Sequence, residues 1–427
     1  MNKFLFRQIQ YLDGESLTLR QGDVLIEDDV IKRVGVVSDE EAAGAEIFAA
    51  GEEWLAVPGY INTHTHIAMT LLRDYGGDQP LSRWLNDYIW PAEAKLTDED
   101  VYWGTALGAL EMIASGTTCF VDMYDHCDAI CEATAKAKLR AVFSRGSVGM
   151  NDPAHRGIDE NDALYARWHG AEGGRFRVWY GPHAPNTCPG DYIQEMVAHA
   201  KARSTGIHIH VAETRGEVES IQAQYGMTPV AWLDSLGAFA VPTLAAHSVW
   251  LTEEDKAIYA RRHVAVAHNP ISNLKLASGI ADVEDLRGRG VIVGLGTDGA
   301  SSNNNLSMHR ELQTAALIHK IRHYDAEAVG ARDVLQMATI DGARALGWAD
   351  EIGSISPGKQ ADITLYKLDQ PWHAPYHDAV SNLVYAAHSD DVDAVFVQGE
   401  CLYKHKEFLT LDAEKSSPKP PPAQNAW

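Results

Sequence analysis

Two histidines stand two residues apart in the segment VPGYINTHTH, residues 57–66. The apolar lead-in predicts a buried strand, and on a strand residues i and i+2 point to the same side. His64 and His66 would therefore bring two imidazoles to one spot, as a metal site requires. Because 19 histidines in 427 residues also produce such pairs by chance, this interpretation needs further ligands elsewhere in the chain.

Seven more apolar runs follow this segment, separated by helix-like stretches. Unbroken apolar strands that alternate with helices predict a parallel sheet covered on both faces. Eight such units over about 290 residues indicate an α/β fold, a (β/α)8 TIM-type barrel. An open doubly wound sheet is the alternative, but it usually carries a glycine-rich phosphate loop after its first strand, and the sequence has none there.

Polar side chains end most of the eight runs. Barrels of this type build their active sites at the carboxyl ends of the strands, so these residues would share one rim. A single histidine there is commonly structural, but a whole rim of imidazoles and carboxylates favours a metal centre. The residues concerned are His64, His66, Arg145, His183, His210, His247, His268 and Asp298.

The ligand types narrow the choice of metal. Imidazole and carboxylate ligands without thiolates suit a catalytic ion with an open position for water, so we expect one divalent metal per chain, zinc or ferrous iron. His64, His66 and His210 would supply nitrogens, and Asp298 an oxygen that also contacts the water. His247 is interpreted first as a proton-transfer group beside that water and second as a ligand.

Glu213 lies three residues after His210 in HIHVAET, just beyond the fifth run. An acid beside an activated water is a candidate proton shuttle. The alternative is a carboxylate placed at a helix N-terminus, where the helix dipole stabilises it. The two roles do not exclude each other, and Glu213 is predicted to be catalytic.

Composition limits the partners. The chain has 36 basic and 59 acidic residues, a net charge of −23, which argues against a nucleic acid polymer or an anionic membrane as partner. A small ligand stays compatible with this charge. The five scattered cysteines suggest no disulfide framework and suit the cytoplasm. No signal peptide and no run of 18 apolar residues is recognised.

The sequence patterns at the two ends of the chain are typical of short strands and turns. Residues 1–57 and 355–412 are therefore expected to form one small β-sandwich, built from both termini, beside a barrel over 58–354. Residues 413–427 are rich in proline and polar residues and predict a disordered or surface-draped tail.

This pattern resembles the amidohydrolase superfamily. Its metal-site residues are HxH after the first strand, histidine after the fifth and sixth strands, and aspartate after the eighth. The fourth run, RVWYGPHAP, lacks the lysine that is carbamylated in binuclear members, so the chain is similar to the mononuclear deaminase branch. Segments such as HVAET, HNPISNLKLASGI and GTDGASSNNNLSM resemble S-adenosylhomocysteine/5′-methylthioadenosine deaminases. The triazine chlorohydrolases share much of this pattern.

The resemblance implies a substrate pocket. Glu93 matches the acid that grips the ribose hydroxyls, Trp84 an aromatic near the base, and His183 a partner of the purine ring. Arg145 matches a basic group facing the 5′ substituent, and Arg156 is a weak match to a second arginine of that kind.

Three of these pocket residues also have a structural interpretation. Trp84 could belong to the core and Glu93 to a solvated helix face. Arg145 could pair with Asp122 or with another acid of the rim.

The resemblance further implies hydrolytic deamination of the adenine ring of 5′-modified adenosines. Glu213 would protonate ring nitrogen 1, Asp298 and His247 would take the proton of the attacking water, and ammonia would leave an inosine analogue. The alternatives are an aminohydrolase or chlorohydrolase of another heterocycle (guanine-like, pterin or triazine), and a metal-bearing scaffold without activity. The expected partner is a small purine nucleoside, and association into a homo-oligomer is compatible with this architecture.

Overall fold

Two sheets organise the chain in the computed structural model, which describes residues 2–416. Within these residues the strands are β1 (Lys3–Asp13), β2 (Thr18–Glu27), β3 (Val30–Gly35), β4 (Glu46–Ala50), β5 (Trp54–Pro58), β6 (Tyr60–Thr65), β7 (Thr117–Tyr124), β8 (Arg140–Ser147), β9 (Phe176–Pro182), β10 (Ile207–Val211), β11 (Thr243–His247), β12 (Ala265–His268), β13 (Val293–Leu295), β14 (Ile363–Lys367), β15 (Val392–Val397), β16 (Glu400–Lys404) and β17 (Glu407–Phe408).

Strands β6 to β13 form the barrel. Each pairs in parallel with the next along the chain, so the sheet order follows the sequence order. The last strand returns to the first, where the backbone N–H of Asp298 donates to the carbonyl of His64 over 2.9 Å. The predicted (β/α)8 architecture is confirmed, and all eight carboxyl ends open on one face.

Helices cover the outside of the barrel. The bounds are α1 (Leu81–Trp84), α2 (Trp90–Glu93), α3 (Asp98–Ala114), α4 (Cys127–Ala137), α5 (Arg156–Trp168), α6 (Gly190–Ala202), α7 (Arg215–Tyr225), α8 (Pro229–Ser235), α9 (Glu253–Arg262), α10 (Pro270–Lys275), α11 (Val283–Gly288), α12 (Ala300–Asn303), α13 (Met308–His323), α14 (Ala331–Met337), α15 (Ile340–Ala345), α16 (Ala379–Tyr385) and α17 (Ala413–Ser416). A π-helical turn, Leu85–Ile89, joins α1 to α2. Among the described residues, no helix has both the length and the apolar character needed to span a bilayer.

Both termini contribute to the second, mixed sheet. Its main path runs β17-β16-β15-β14-β5-β1-β2-β3, with β4 paired to β1, so C-terminal β14 lies between C-terminal β15 and N-terminal β5. A cluster of four phenylalanines from both ends (Phe4, Phe6, Phe48 and Phe396) packs within it at centroid distances of 4.8–5.8 Å. A β-rich layer built from the two ends is thus confirmed. Residues 417–427, most of the predicted tail, lie outside the described residues.

A buried ion pair connects this layer to the barrel. Arg140 opens β8, and its Nε donates to Asp362 Oδ2 over 2.9 Å; the two side chains are 1% and 2% exposed. The other oxygen of Asp362 accepts the backbone N–H of Gln398 over 2.7 Å. Each charge therefore depends on the other, because neither reaches solvent.

Replacing Asp362 by alanine is expected to lower the free energy of unfolding by about 3–5 kcal/mol, because it strands a buried guanidinium. Denaturant unfolding would measure the change. Glu351→Gln is the matched control, since it removes the pair with Arg177 in which the glutamate is 47% exposed. Glu351→Gln should lower the free energy of unfolding by less than about 1 kcal/mol. Equal losses of stability from the two substitutions would contradict the stabilising role assigned to the buried pair of Arg140 and Asp362.

Candidate active site

Four strand-end histidines and one aspartate converge at the centre of the barrel's open face. Asp298 Oδ1 lies 3.4 Å from the Nε2 of His64 and 3.3 Å from the Nε2 of His66. Ligand atoms of His64, His210 and His247 lie within 4.8 Å of one another. The rim predicted from the strand ends therefore does bring these side chains to one point, at distances that could hold a single ion.

Hydrogen bonds on the far side of His64 fix which of its nitrogens is free. Ser144 Oγ donates to the carbonyl of Asp122 and so accepts from His208 Nδ1 at 3.4 Å. His208 Nε2 must then accept the proton of His64 Nδ1, 2.8 Å away. His64 Nε2 is left with a lone pair, buried and without a hydrogen-bond partner among the described residues.

His66 and His210 are oriented in the same way. Each donates its Nδ1 hydrogen to a backbone carbonyl, that of Met123 at 2.5 Å and that of His183 at 2.7 Å. Three Nε2 lone pairs thus face the centre, beside one carboxylate oxygen. A metal-binding histidine usually donates its other nitrogen to the protein in this manner. The donor set fits a divalent ion such as zinc.

Asp298 is held with its two oxygens in different surroundings. Oδ2 accepts from Ser272 Oγ at 2.6 Å and from Ser302 Oγ at 3.0 Å, whereas Oδ1 accepts the N–H of Gly299 and faces the imidazoles. All three of these groups donate to the carboxylate, and such donors favour its ionised form. The residue therefore presents one anionic oxygen to the centre.

His247 is oriented the opposite way. Its Nδ1 lies 2.9 Å from the side-chain nitrogen of Asn273 and 3.3 Å from that of Asn269. Amide nitrogens only donate, so Nδ1 accepts and the ring hydrogen sits on Nε2. Burial lowers the pKa of His247 to about 3, which keeps the ring neutral. This favours a hydrogen-bond donor over a metal ligand, whereas the predicted role as acceptor of the water's proton would need a lone pair at Nε2.

Glu213 leaves β10 through a sharp turn and lies against the centre. Its Oε2 is 3.8 Å from His247 Nε2. Glu217 on α7 fixes this turn, because its two oxygens accept the backbone N–H groups of Ala212 at 2.8 Å and of Glu213 at 2.9 Å. Burial, and then the charges of Asp298 and Glu217, raise the pKa of Glu213 well above its usual range. A buried, protonated carboxyl group is a proton donor.

A cavity of about 1230 Å³ opens above this cluster and reaches every predicted pocket residue. Trp84, Glu93, Arg145 and His183 all line it. Glu93 Oε1 is shielded from solvent and has no hydrogen-bond partner among residues 2–416. The hydroxyl of Tyr124, which sequence reasoning did not single out, is also buried without a hydrogen bond of normal geometry in the described part of the chain, and it lines the same wall. It lies close enough to Glu93 to lower the pKa of that carboxyl group.

Arg145 is not free in this wall. It pairs with Asp125 and Glu160 at 3.2 and 2.8 Å, so its partners are rim acids other than Asp122. Asp122 instead accepts the backbone N–H of Ile67 over 2.7 Å. Arg156 also lines the cavity, and in the described chain no acid lies within ion-pair distance of its guanidinium.

Several residues that hold the site were missed in the sequence. The second HxH pair, in GIHIHV, was a signal for His208, because i and i+2 share one face of a strand. The others gave no comparable signal, since serine, asparagine and glutamate are common in loops and first turns. These are Glu217, Asn269, Asn273, Ser272 and Ser302.

Comparison with known proteins agrees with this geometry. Residues 55–402 match the model of the amidohydrolase family. A 5-methylthioadenosine/S-adenosylhomocysteine deaminase of Moorella thermoacetica is 46% identical over 416 residues, which cover 97% of each chain. A protein of the same name from Thermoanaerobacter pseudethanolicus is 44% identical and covers 94% of this chain and 93% of its own.

Solved structures give the same architecture. An adenosine deaminase from Xanthomonas campestris with bound zinc is 32% identical, with a TM-score of 0.90 over 97% of this chain and 96% of its own. An atrazine chlorohydrolase from Arthrobacter aurescens complexed with zinc, at 24% identity and a TM-score of 0.90 over 97% and 98%, shares the fold. The strand-end cluster of histidines and an aspartate, the family match and the full-length relatives lead to one conclusion: the chain belongs to the amidohydrolase family, a family of metal-dependent hydrolases.

Proposed function

We propose that the protein is a metal-dependent deaminase of the adenine ring of 5′-modified adenosines, such as 5′-methylthioadenosine and S-adenosylhomocysteine. The observation that carries the proposal is the buried carboxyl group of Glu213, 3.8 Å from His247 Nε2, beside three imidazole nitrogens and one carboxylate oxygen. The names of the relatives at 44–46% identity support the choice of substrate.

Residues His64, His66, His210 and Asp298 would hold the ion, and we propose zinc, with ferrous iron as the alternative. The zinc in the adenosine deaminase structure at 32% identity supports this choice. When bound, such an ion supplies a nucleophilic water at neutral pH by lowering its pKa from 15.7 to about 7.

The chain's own residues would move the protons. Glu213 donates its carboxyl proton to ring nitrogen 1, which neutralises the charge that develops when the ring carbon is attacked. Asp298 accepts the proton of the attacking water on its carboxylate. His247 holds its hydrogen at Nε2 and donates a hydrogen bond into the site, so we assign it no acceptor role. Asp298 then passes its proton to the exocyclic amine, which leaves as ammonia, while the new ring hydroxyl returns a proton to Glu213, and the product is the inosine analogue.

The cavity wall would bind the nucleoside. The unpartnered Glu93 Oε1 suits a pair of ribose hydroxyls, which are donors, and a buried acceptor without a donor is costly. Trp84 is 4% exposed and still lines the cavity, so it serves as both core and pocket residue. His183 would contact the ring. The cytoplasmic location and the oligomeric state stay predictions.

Replacing Glu93 by alanine is expected to lower kcat/KM for 5′-methylthioadenosine by about 10- to 100-fold, because two hydrogen bonds to a charged group are lost. Steady-state rates of ammonia release would measure the effect. Free adenine is the matched control, since it has no diol and should lose little. If Glu93→Ala spared the preferred substrate, the alternative of another amino-heterocycle would be favoured instead.

A further inference from the structure

One part of the cavity wall carries five charged side chains. Asp125 follows β7, Arg145 lies near the carboxyl end of β8, and Asp152, Arg156 and Glu160 lie at or before the first turns of α5. Three carboxylates therefore face two guanidinium groups, and this part of the wall has an excess of one negative charge.

Arg145 could bind an anionic ligand, but its guanidinium is already paired with two carboxylates. Its Nη2 lies 3.2 Å from Asp125 Oδ2, its Nε lies 2.8 Å from Glu160 Oε2, and its Nη1 donates to the carbonyl of Gly146. Its side chain is 19% exposed, whereas the two carboxylates are more than half exposed. The two acids line the cavity together with Arg145 and are the more exposed members of the group.

The contacts proposed for the adenine ring and the ribose place the 5′ end of a nucleoside at this part of the wall. The metal cluster and Glu213 fix the reacting edge of the ring, and Glu93 would hold the ribose. Burial raises the pKa of Glu93, Tyr124 and His66 lower it, and the charge of Asp125 adds a smaller increase. Asp125 directly follows Tyr124 and lines the same cavity as Glu93. The substituent beyond the ribose would therefore enter the field of Asp125 and Glu160.

We propose that Asp125 and Glu160 are specificity-determining residues that exclude 5′-phosphorylated adenosines from the site. A phosphate carries up to two negative charges and would meet a net negative wall in which Arg145 is already paired and Arg156 is the one guanidinium without an acid at ion-pair distance among the described residues. Like charges in contact are strongly unfavourable. The uncharged methylthio group of 5′-methylthioadenosine meets no such penalty. The inference rests on the proposed function, because deamination of the adenine ring is what brings a nucleoside here.

The test compares adenosine monophosphate with 5′-methylthioadenosine on metal-replete protein. The ratio of their kcat/KM values, and the inhibition constant of the monophosphate, would be measured for the wild type, Asp125→Asn, Glu160→Gln and the double variant. The matched control is Glu132→Gln: Glu132 is 53% exposed, like Glu160 at 55%, but pairs with Arg167 outside the cavity. Each assay would be repeated at high salt, which screens exposed charges.

The wild type is expected to use the thioether nucleoside at least about 100-fold better than the monophosphate. The double variant should narrow this ratio by about tenfold and bind the monophosphate more tightly, whereas Glu132→Gln keeps the wild-type ratio. High salt should reduce the difference between wild type and double variant. A wild type that uses both compounds equally, or a double variant with an unchanged ratio, would overturn the inference.

These outcomes separate the two proposals. A wild type that deaminates 5′-methylthioadenosine, with a ratio that the double variant leaves unchanged, overturns only the role of Asp125 and Glu160. A wild type that deaminates neither compound, although it binds metal, overturns the proposed function and this inference with it.

Discussion

Replacing Glu213 by glutamine is expected to lower kcat for 5′-methylthioadenosine by about 10³-fold while the protein keeps its metal. Glutamine matches the shape of glutamate but has no acidic proton to give to ring nitrogen 1. The loss should therefore lie in the chemical step. Steady-state kinetics and metal analysis of the same preparation would separate the two effects.

Glu219→Gln is the matched control for this experiment. Glu219 lies on the same helix, α7, but is exposed and has no ion pair within residues 2–416. It should behave as the wild type does. Since the protonated form of Glu213 is the active one, wild-type turnover should also fall on the alkaline side as this carboxyl group ionises. Turnover retained by Glu213→Gln would refute the proton-donor role.

Replacing Asp298 by alanine is expected to weaken metal binding by more than about 100-fold, because even the outer hydrogen-bond partners of metal ligands contribute 10- to 100-fold. The substitution removes the anionic oxygen that faces His64 and His66. Competition with a chelator would measure the affinity independently of turnover.

Ser301→Ala supplies the comparison for Asp298→Ala. Ser301 is buried next to Ser302 in the sequence, but its hydroxyl contacts the sulfur of Met69 and not Asp298. Its loss should leave metal affinity near the wild-type value. If Asp298→Ala bound zinc as tightly as Ser301→Ala does, Asp298 would not be a ligand.

Much of the fold could be predicted because most barrel strands show two features in the sequence, an apolar run and a polar residue at its end. The HxH pair at His64 and His66 ends β6 in this way, and Asp298 follows β13. Parallel strands bring their carboxyl ends to one face, so residues more than 230 positions apart were expected to meet. Arg140 and Asp362 gave no such signal, because a buried pair between two sheets follows no sequence period.

The protonation pattern of the site could not be predicted. His64 and His247 are both strand-end histidines, yet one presents a lone pair to the centre and the other a hydrogen. The difference is set by His208 for the first ring and by Asn273 for the second. The neighbour that contacts the Nδ1 atom of each ring is determined by packing between strands and loops. The sequence of a single strand therefore does not predict which neighbour this is.

Ammonia release by metal-replete protein from 5′-methylthioadenosine, S-adenosylhomocysteine, adenosine, guanine and a chlorotriazine tests the central claim most directly, with metal content measured in parallel. Deamination of adenine nucleosides, with the thioether nucleosides turned over faster than adenosine, is the predicted result. Turnover of only guanine or the triazine, or none on any of the five despite bound metal, would contradict the proposed function.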